Sequence, residues 1–231
     1  KSVPDTGGYS LLRFVDTVCD SAIGVGAANT LVRTSAGRVE AHNTDARALA
    51  DELEATRSSI AAPPVRGTSQ RGLVFGAGGA ARAAIVALVR HVGIGFVDVR
   101  SRRFADAELA ASFVAEMKHL HGDAIGWTVG DLSMPVSAFT TIVVQATSSG
   151  MHGASDGTAV AHAVPWSSLG PSAIALDVVY SPPQTPFLEA ALSSNVRCAN
   201  GMGMLARQGA RAFELWLGIA PPFETMLRAL A

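Results

Sequence analysis

Between Gly72 and Arg82 the chain reads GLVFGAGGAAR, an apolar run that gives way to glycine and alanine where a helix can begin. The spacing from Gly76 to Ala81 fits G-x-G-x-x-G/A. In that pattern Gly76 permits a tight turn, Gly78 lets the backbone approach a pyrophosphate, and Ala81 allows a helix to pack closely on a strand. Gly76, Ala77, Gly78, Gly79, Ala80 and Ala81 are therefore candidates for an anion cradle, with phosphate resting on the N–H groups of a helix N-terminus. A glycine turn also serves purely steric ends, so the match needs support from its neighbours in the chain.

That support comes one strand later, where the next apolar run ends in DVRSRR. A residue at this place meets the adenosine ribose: an acid bonds the 2′-hydroxyl of NAD, whereas a cation accommodates the 2′-phosphate of NADP. Arg100, Arg102 and Arg103 offer planar forks that match phosphate oxygens, which favours NADP. Asp98 dissents, because facing the ribose it would favour NAD. The competing reading is a solvated turn carrying ordinary surface arginines.

A cradle of this kind has to be held by alternating strands and helices. From GLVFG onward, helical spacing over about Ala80–Val92 and Asp106–His119 alternates with the short apolar runs GFVDV, GWTVG, TIVVQAT and AIALDVV. Short apolar runs bounded by glycine are what a parallel sheet covered on both faces requires, so the expected fold class is α/β, a Rossmann-like doubly wound parallel sheet. Upstream, apolar steps of three and four predict a helix from Tyr9 to Ala22, and Ser35-Ala36-Gly37 predicts a hairpin. Thr44-Asp45 predicts a cap for a helix through Leu49 and Leu53. TRSSIAAPPVRGTSQR has no period and a Pro63-Pro64 break, which makes it the linker. The expected division is residues 1–60 as part of a smaller α/β substrate-binding domain, 70–200 as the dinucleotide-binding domain, and 201–231 as closing helices that pack back on the first part.

The 231 residues are 48% hydrophobic and 16% charged, too apolar for a disordered chain. A formal net charge of −1 provides no electrostatic ground for nucleic acid or an anionic membrane as partner, and a small molecule remains. Cys19 and Cys198 lie far apart outside any CxxC pattern, so neither a disulfide framework nor a zinc site is indicated, and no metal is assigned to His119 and His121. The expectation is a reduced, cytoplasmic protein without a membrane span, monomeric or homodimeric. Lys1 is not a Met and KSVPDTGG has loop composition, so further residues are expected upstream.

Several short motifs, taken in order, resemble the shikimate dehydrogenase family (shikimate/quinate 5-dehydrogenases). GAANTLV is similar to its GAVNT segment, HNTD to GxNTD, VRSRR to NRTxxR and QATSSGM to NATxxGM, while GAGGAARA, DVVYSPPQTPFL and GMGMLARQGARAFELW complete the set. The resemblance implies NADP-dependent, reversible reduction of 3-dehydroshikimate to shikimate across a cleft between two domains. It places Asn29, Asp45 and Gln208 on the polyol, and Tyr180 near both substrate and nicotinamide. Gly76 to Ala81, Arg100, Ser101, Arg102, Arg103, Thr147, Val178 and Gly201 would line the cofactor, and Asp45 would share proton transfer with a lysine. Each residue also has a plain reading: Asp45 as a helix cap, Asn29 as a turn residue, Gln208 as an exposed helical position, Tyr180 as a strand end, and Thr147 with Ser148 as caps of a short helix.

The departures bear on catalysis. Roughly sixty residues of the family pattern, judged by domain size, have no counterpart here, including a serine pair and the motif that ends in the catalytic lysine. Lys1 stands before SVPDTGG, and without those loop-like residues it would directly precede YSLLRFVD. Lys1 is then the catalytic lysine followed by an insertion; the alternative puts Gly8 in that place. Val99 and Gln145 each replace an Asn, and Ala41 replaces the Gly of GxNTD, so that backbone cannot need a positive φ without strain. An NAD-dependent quinate/shikimate dehydrogenase and a non-catalytic nucleotide-binding relative are the alternatives.

Overall fold

A computed structural model of the chain describes residues 14–58 and 70–230. The readings made on Lys1, on Gly8 and on the Pro63-Pro64 linker lie outside these residues.

The first part is a small three-stranded sheet in the order β1-β3-β2, built from β1 (Thr17–Val18), β2 (Thr30–Arg33) and β3 (Val39–His42). The hairpin β2/β3 is antiparallel, as the Ser35-Ala36-Gly37 turn predicts, and Gly37 takes φ 80°, where a side chain would be strained. Ala41 lies within β3 and is fully buried, so this chain tolerates a Cβ where the family pattern has glycine. The helix predicted over Tyr9–Ala22 is corrected over residues 14–22, and its first five residues lie outside the described ones. Thr17 and Val18 instead pair parallel with Glu40 and Ala41, and α1 runs only over Asp20–Val25. The β-branched pair fills an edge of the sheet, and the backbone bonds Asp16 N–Val39 O and Cys19 N–Ala41 O, both 2.9 Å, take groups a helix would have used.

The long helix α2 (Asp45–Ser58) leads towards the second sheet. That sheet comprises β4 (Arg71–Phe75), β5 (Phe96–Arg100), β6 (Gly126–Gly130), β7 (Thr140–Gln145), β8 (Ile174–Asp177) and β9 (Arg197–Ala199). Its strands are all parallel in the order β6-β5-β4-β7-β8-β9, the doubly wound arrangement in which chain order reverses between β4 and β7. The sixth strand, RCA, is absent from the sequence expectation, because three residues carry no readable alternation.

Both faces are covered, which explains the continuous apolar runs. Val74, Val97, Val99, Ile142 and Leu176 turn to one side, against α2, α3 (Gly79–Val86) and α4 (Ala107–His121). Leu73, Phe75, Val143 and Ala175 turn to the other, against α5 (Thr158–His162) and α6 (Pro186–Ser193). The helix expected to Val92 changes to a wide π turn over Ala87–Val92 before Gly93 ends it in the left-handed region. His121 is half-buried, its ring tilted 36° against Trp127 with centroids 5.9 Å apart, and burial pushes its pKa down to about 4.

The chain closes with α7 (Gly201–Leu217) and α8 (Phe223–Leu230). α7 returns to the first part of the chain. Arg207 Nε donates to Glu52 at 2.9 Å, Arg211 to Asp51 at 2.5 Å, and Trp216 Nε1 to the Leu31 carbonyl at 2.8 Å.

Candidate functional site

The carboxyl ends of β4, β7 and β8 open into a cleft of about 480 Å³ at the point where strand order reverses. Open α/β sheets bind their ligands at this position. Gly78, Gly79 and Ala80 form one wall, Ala146 to Ser148 with Met151 and His152 the floor, and Val178 to Ser181 the other wall. Gly76 has φ 120°, and a Cβ there would lie 2.8 Å from the Ala146 carbonyl, so both turn and approach demand glycine. At Gly78, the N-cap of α3, a Cβ would meet nothing within 4 Å and would stand in the cleft. The cradle thus presents bare backbone to the open space, with helix N–H groups behind it, which suits a pyrophosphate.

The floor is held by Gln145, which is fully buried. Its Oε1 accepts from Thr147 N at 2.6 Å and Thr147 Oγ1 at 2.8 Å, while Nε2 donates to the carbonyls of Thr147 at 3.3 Å and Ser149 at 2.9 Å. Gln145 therefore organises the loop rather than reaching into the cleft, and Thr147 caps no helix. The far wall is anchored by Asp177, also fully buried, whose Oδ1 accepts from Val179 N at 2.9 Å and whose Oδ2 accepts from Thr185 Oγ1 at 2.6 Å.

Burial raises the Asp177 carboxyl from its ordinary 3.8 to about 6, and the two hydrogen bonds only partly oppose the shift. The folded protein then holds this proton more tightly than the unfolded chain. The resulting stability is complete below pH 3.8 and is lost as pH rises through about 6. The step amounts to on the order of 3 kcal/mol. Urea unfolding across this window should show the step in wild type relative to Asp177→Asn, which cannot titrate. Identical pH profiles would remove Asp177 as its source.

A second constellation forms where β2 and β3 meet α2. The cap of α2 is Asn43, not Thr44 or Asp45: Asn43 Oδ1 accepts from Asp45 N at 3.0 Å and Ala46 N at 3.3 Å. Asp45 is thereby released from capping. Its Oδ1 instead accepts from Asn29 Nδ2 at 2.8 Å, and Asn29 Oδ1 accepts from Thr44 N at 3.0 Å. Asn29 is thus more than a turn residue, since its amide ties the ends of two elements together. Burial raises the Asp45 carboxyl, and the Asn29 hydrogen bond partly lowers it again. Ala27, two residues before Asn29, borders the cradle: a Cβ at Gly79 would lie 4.0 Å from the Cβ of Ala27.

The three arginines separate. Arg100 is only 2% exposed and is turned into the sheet, where its guanidinium donates to the carbonyls of Val99 at 3.3 Å and Pro135 at 3.2 Å and lies 3.7 Å from Asp98. Its place in an open phosphate clamp is therefore corrected: strand alternation puts Arg100 on the face of Leu73 and Phe75, with its charge already engaged. Asp98 lies on that same face, 3% exposed and 3.7 Å from Arg71 as well, so it does not stand open to a ribose. Arg102 and Arg103 are exposed on the 3₁₀ turn that follows Ser101, whose Oγ caps it by accepting from Arg103 N at 3.3 Å.

A family model, Shikimate 5'-dehydrogenase C-terminal domain, matches residues 201–231. Over 95% of its length the chain is 35% identical to Shikimate dehydrogenase (NADP(+)) of Cereibacter sphaeroides, covering 72% of that protein. It is 39% identical to Shikimate dehydrogenase (NADP(+)) of Citrifermentans bemidjiense over 96% of the chain and 72% of that relative. The chain belongs to the shikimate dehydrogenase family. Its fold matches shikimate 5-dehydrogenase of Thermus thermophilus, solved in complex with NADP(H) and shikimate, with a TM-score of 0.73 and 29% identity over 96% of the chain and 74% of that one.

Of the residues that the family resemblance singles out, Gly78, Gly79, Ala80, Thr147, Val178 and Tyr180 line the cleft together. Gly76, Ala77 and Ala81 shape its turn from behind. Gly201 is buried beneath the wall rather than lining it: a Cβ there would run into the Val178 carbonyl, and its N–H donates to Val179 O at 3.0 Å. Gln208 is half-buried on α7, the helix tied to both α2 and β2. Ala146, Ser148, Met151, His152, Val179 and Ser181 also line the cleft and are not among the predicted site residues. QATSSGM contains Ala146, Ser148 and Met151, and DVVYSPPQTPFL contains Val179 and Ser181, but neither motif assigns them a role, and nothing marks His152.

Proposed function

We propose that this member of the family is an NADP-dependent oxidoreductase of CH–OH groups, a shikimate dehydrogenase that reversibly reduces 3-dehydroshikimate to shikimate in the chorismate route to aromatic amino acids. The observation that carries the reading is the Asn29–Asp45 pair, freed from capping by Asn43, on the same part of the chain as Ala27, which borders the glycine cradle at the sheet's switch point. In this reading the part before residue 60 with α7 binds the polyol, and residues 70–200 bind the dinucleotide. Gly78 to Ala80 hold the pyrophosphate, Arg102 and Arg103 the 2′-phosphate, and Thr147, Val178 and Tyr180 flank the nicotinamide. The cofactor, when bound, supplies or accepts the hydride.

The chain's own residues place the substrate and manage the proton. Asn29 Nδ2 occupies Asp45 Oδ1, so Asp45 Oδ2 is the oxygen that meets the substrate hydroxyl and takes its proton during oxidation or returns it during reduction. A carboxyl raised by burial holds that proton better at neutral pH than a solvated aspartate does. Asn29 and Gln208 supply uncharged donors and acceptors suited to neighbouring hydroxyls. Among the described residues no helix is long and apolar enough to cross a membrane. The reading takes the protein as a cytoplasmic monomer or homodimer.

The deciding experiment incubates the protein with shikimate or quinate, each with NADP⁺ or NAD⁺, and follows formation of the reduced cofactor. Turnover is expected with shikimate and NADP⁺. Turnover confined to quinate and NAD⁺ moves the assignment to a quinate dehydrogenase, and calorimetric cofactor binding without any turnover makes the chain a non-catalytic relative.

A further inference from the structure

We propose that Cys19, Glu40 and His42 form a binding site for a divalent transition metal of the zinc class, separate from the dinucleotide cleft. Strand geometry brings them together. Glu40 and His42 are two apart on β3 and so share one face, while the parallel register Thr17↔Glu40 and Val18↔Ala41 carries the next residue, Cys19, up to His42. Cys19 Sγ lies 3.4 Å from His42 Nε2, His42 Nε2 lies 3.5 Å from Glu40 Oε2, and the three ligand atoms all fall within 4.8 Å of one another.

The two separations at His42 Nε2 are those of a coordination sphere. Bonds of about 2.3 Å to sulfur and about 2.0–2.2 Å to nitrogen and oxygen, set tetrahedrally, place neighbouring ligand atoms roughly 3.3–3.6 Å apart. A thiolate, an imidazole and a carboxylate select zinc-class ions over magnesium or calcium, which prefer all-oxygen sites. Three protein ligands leave a fourth position for water, and all three residues are half-buried, so an ion can reach them. Burial, with smaller contributions from the Glu40 and Asp20 carboxylates, holds the Cys19 thiol above its ordinary range. On binding, the thiol proton leaves to solvent and a sulfur–metal bond takes its place, with no change in oxidation state. The ion would clip β1 to β3 one residue before Asn43, the cap of α2.

Titration of the reduced protein with Co²⁺ tests this. One equivalent should bind with the near-ultraviolet thiolate-to-cobalt band and intense visible bands of a tetrahedral site, and Zn²⁺ should displace it. Cys19→Ser should abolish the thiolate band, Glu40→Gln should weaken binding by about 10-fold or more while keeping the band, and Cys198→Ser should change neither. Far-ultraviolet circular dichroism on each variant separates loss of the site from loss of the fold, and Glu40→Gln retains a test if Cys19→Ser unfolds. A pale octahedral spectrum without the thiolate band, or affinity within about twofold of wild type in folded Cys19→Ser or Glu40→Gln, overturns the proposal. The contacts would then be an ordinary sulfur–imidazole hydrogen bond and an ordinary ion pair.

Discussion

Asp45→Asn is expected to lower kcat for shikimate oxidation by about 10²–10⁴-fold, the range lost with a general acid–base group. The KM for NADP⁺ should move by no more than about twofold, because the residue touches no part of the cradle wall. Asparagine keeps an oxygen for the Asn29 N–H but cannot take the substrate proton at the second position. The fold should survive, since Asn43 carries the cap of α2. Steady-state kinetics beside a thermal melt distinguish the roles: a large drop in melting temperature with activity largely retained would make Asp45 structural.

The second large effect concerns cofactor choice. Arg102→Ala/Arg103→Ala should weaken NADP⁺ by about 100-fold and leave NAD⁺ nearly unchanged, because each charge-assisted bond to the 2′-phosphate is worth about 1.5–3 kcal/mol. Neither guanidinium makes a hydrogen bond or ion pair among the described residues, so their removal costs the fold little. Arg100→Ala should behave oppositely. It strips a buried partner from Asp98 and two carbonyls, so stability falls by about 3 kcal/mol while the NADP⁺ to NAD⁺ ratio holds. Calorimetric titration of both cofactors against both variants decides the matter. Selective loss of NADP⁺ in Arg100→Ala with an intact double variant would return the clamp to Arg100.

Much of this protein was legible in its sequence because the signals are local. The glycine cradle, the apolar runs of β4, β5, β7 and β8, the β2/β3 hairpin and the helical spacing of α2, α4 and α7 depend on residues within a few positions of one another. Ordered motifs along the chain then sufficed to place it in the shikimate dehydrogenase family. Where local signals competed, the reading failed. Val18 fits a helical period, yet the pairing of Thr17 and Val18 with β3 decides their state.

Side-chain direction and long-range company were decided by the tertiary structure. Three arginines after a strand look equivalent in sequence, but alternation on a sheet covered on both faces buries Arg100 against Asp98 and leaves Arg102 and Arg103 outside. Thr44-Asp45 reads as a cap until Asn43 is seen to take that role, which frees the carboxylate for Asn29. Cys19 and His42, 23 positions apart with no metal-ligand spacing, meet only because β1 lies in register beside β3. Sequence by itself determined the family and the cradle, since both are written in short-range spacing. The free carboxylate, the open arginines and the Cys19–Glu40–His42 cluster exist only once strands pair, because pairing sets which side chains share a face.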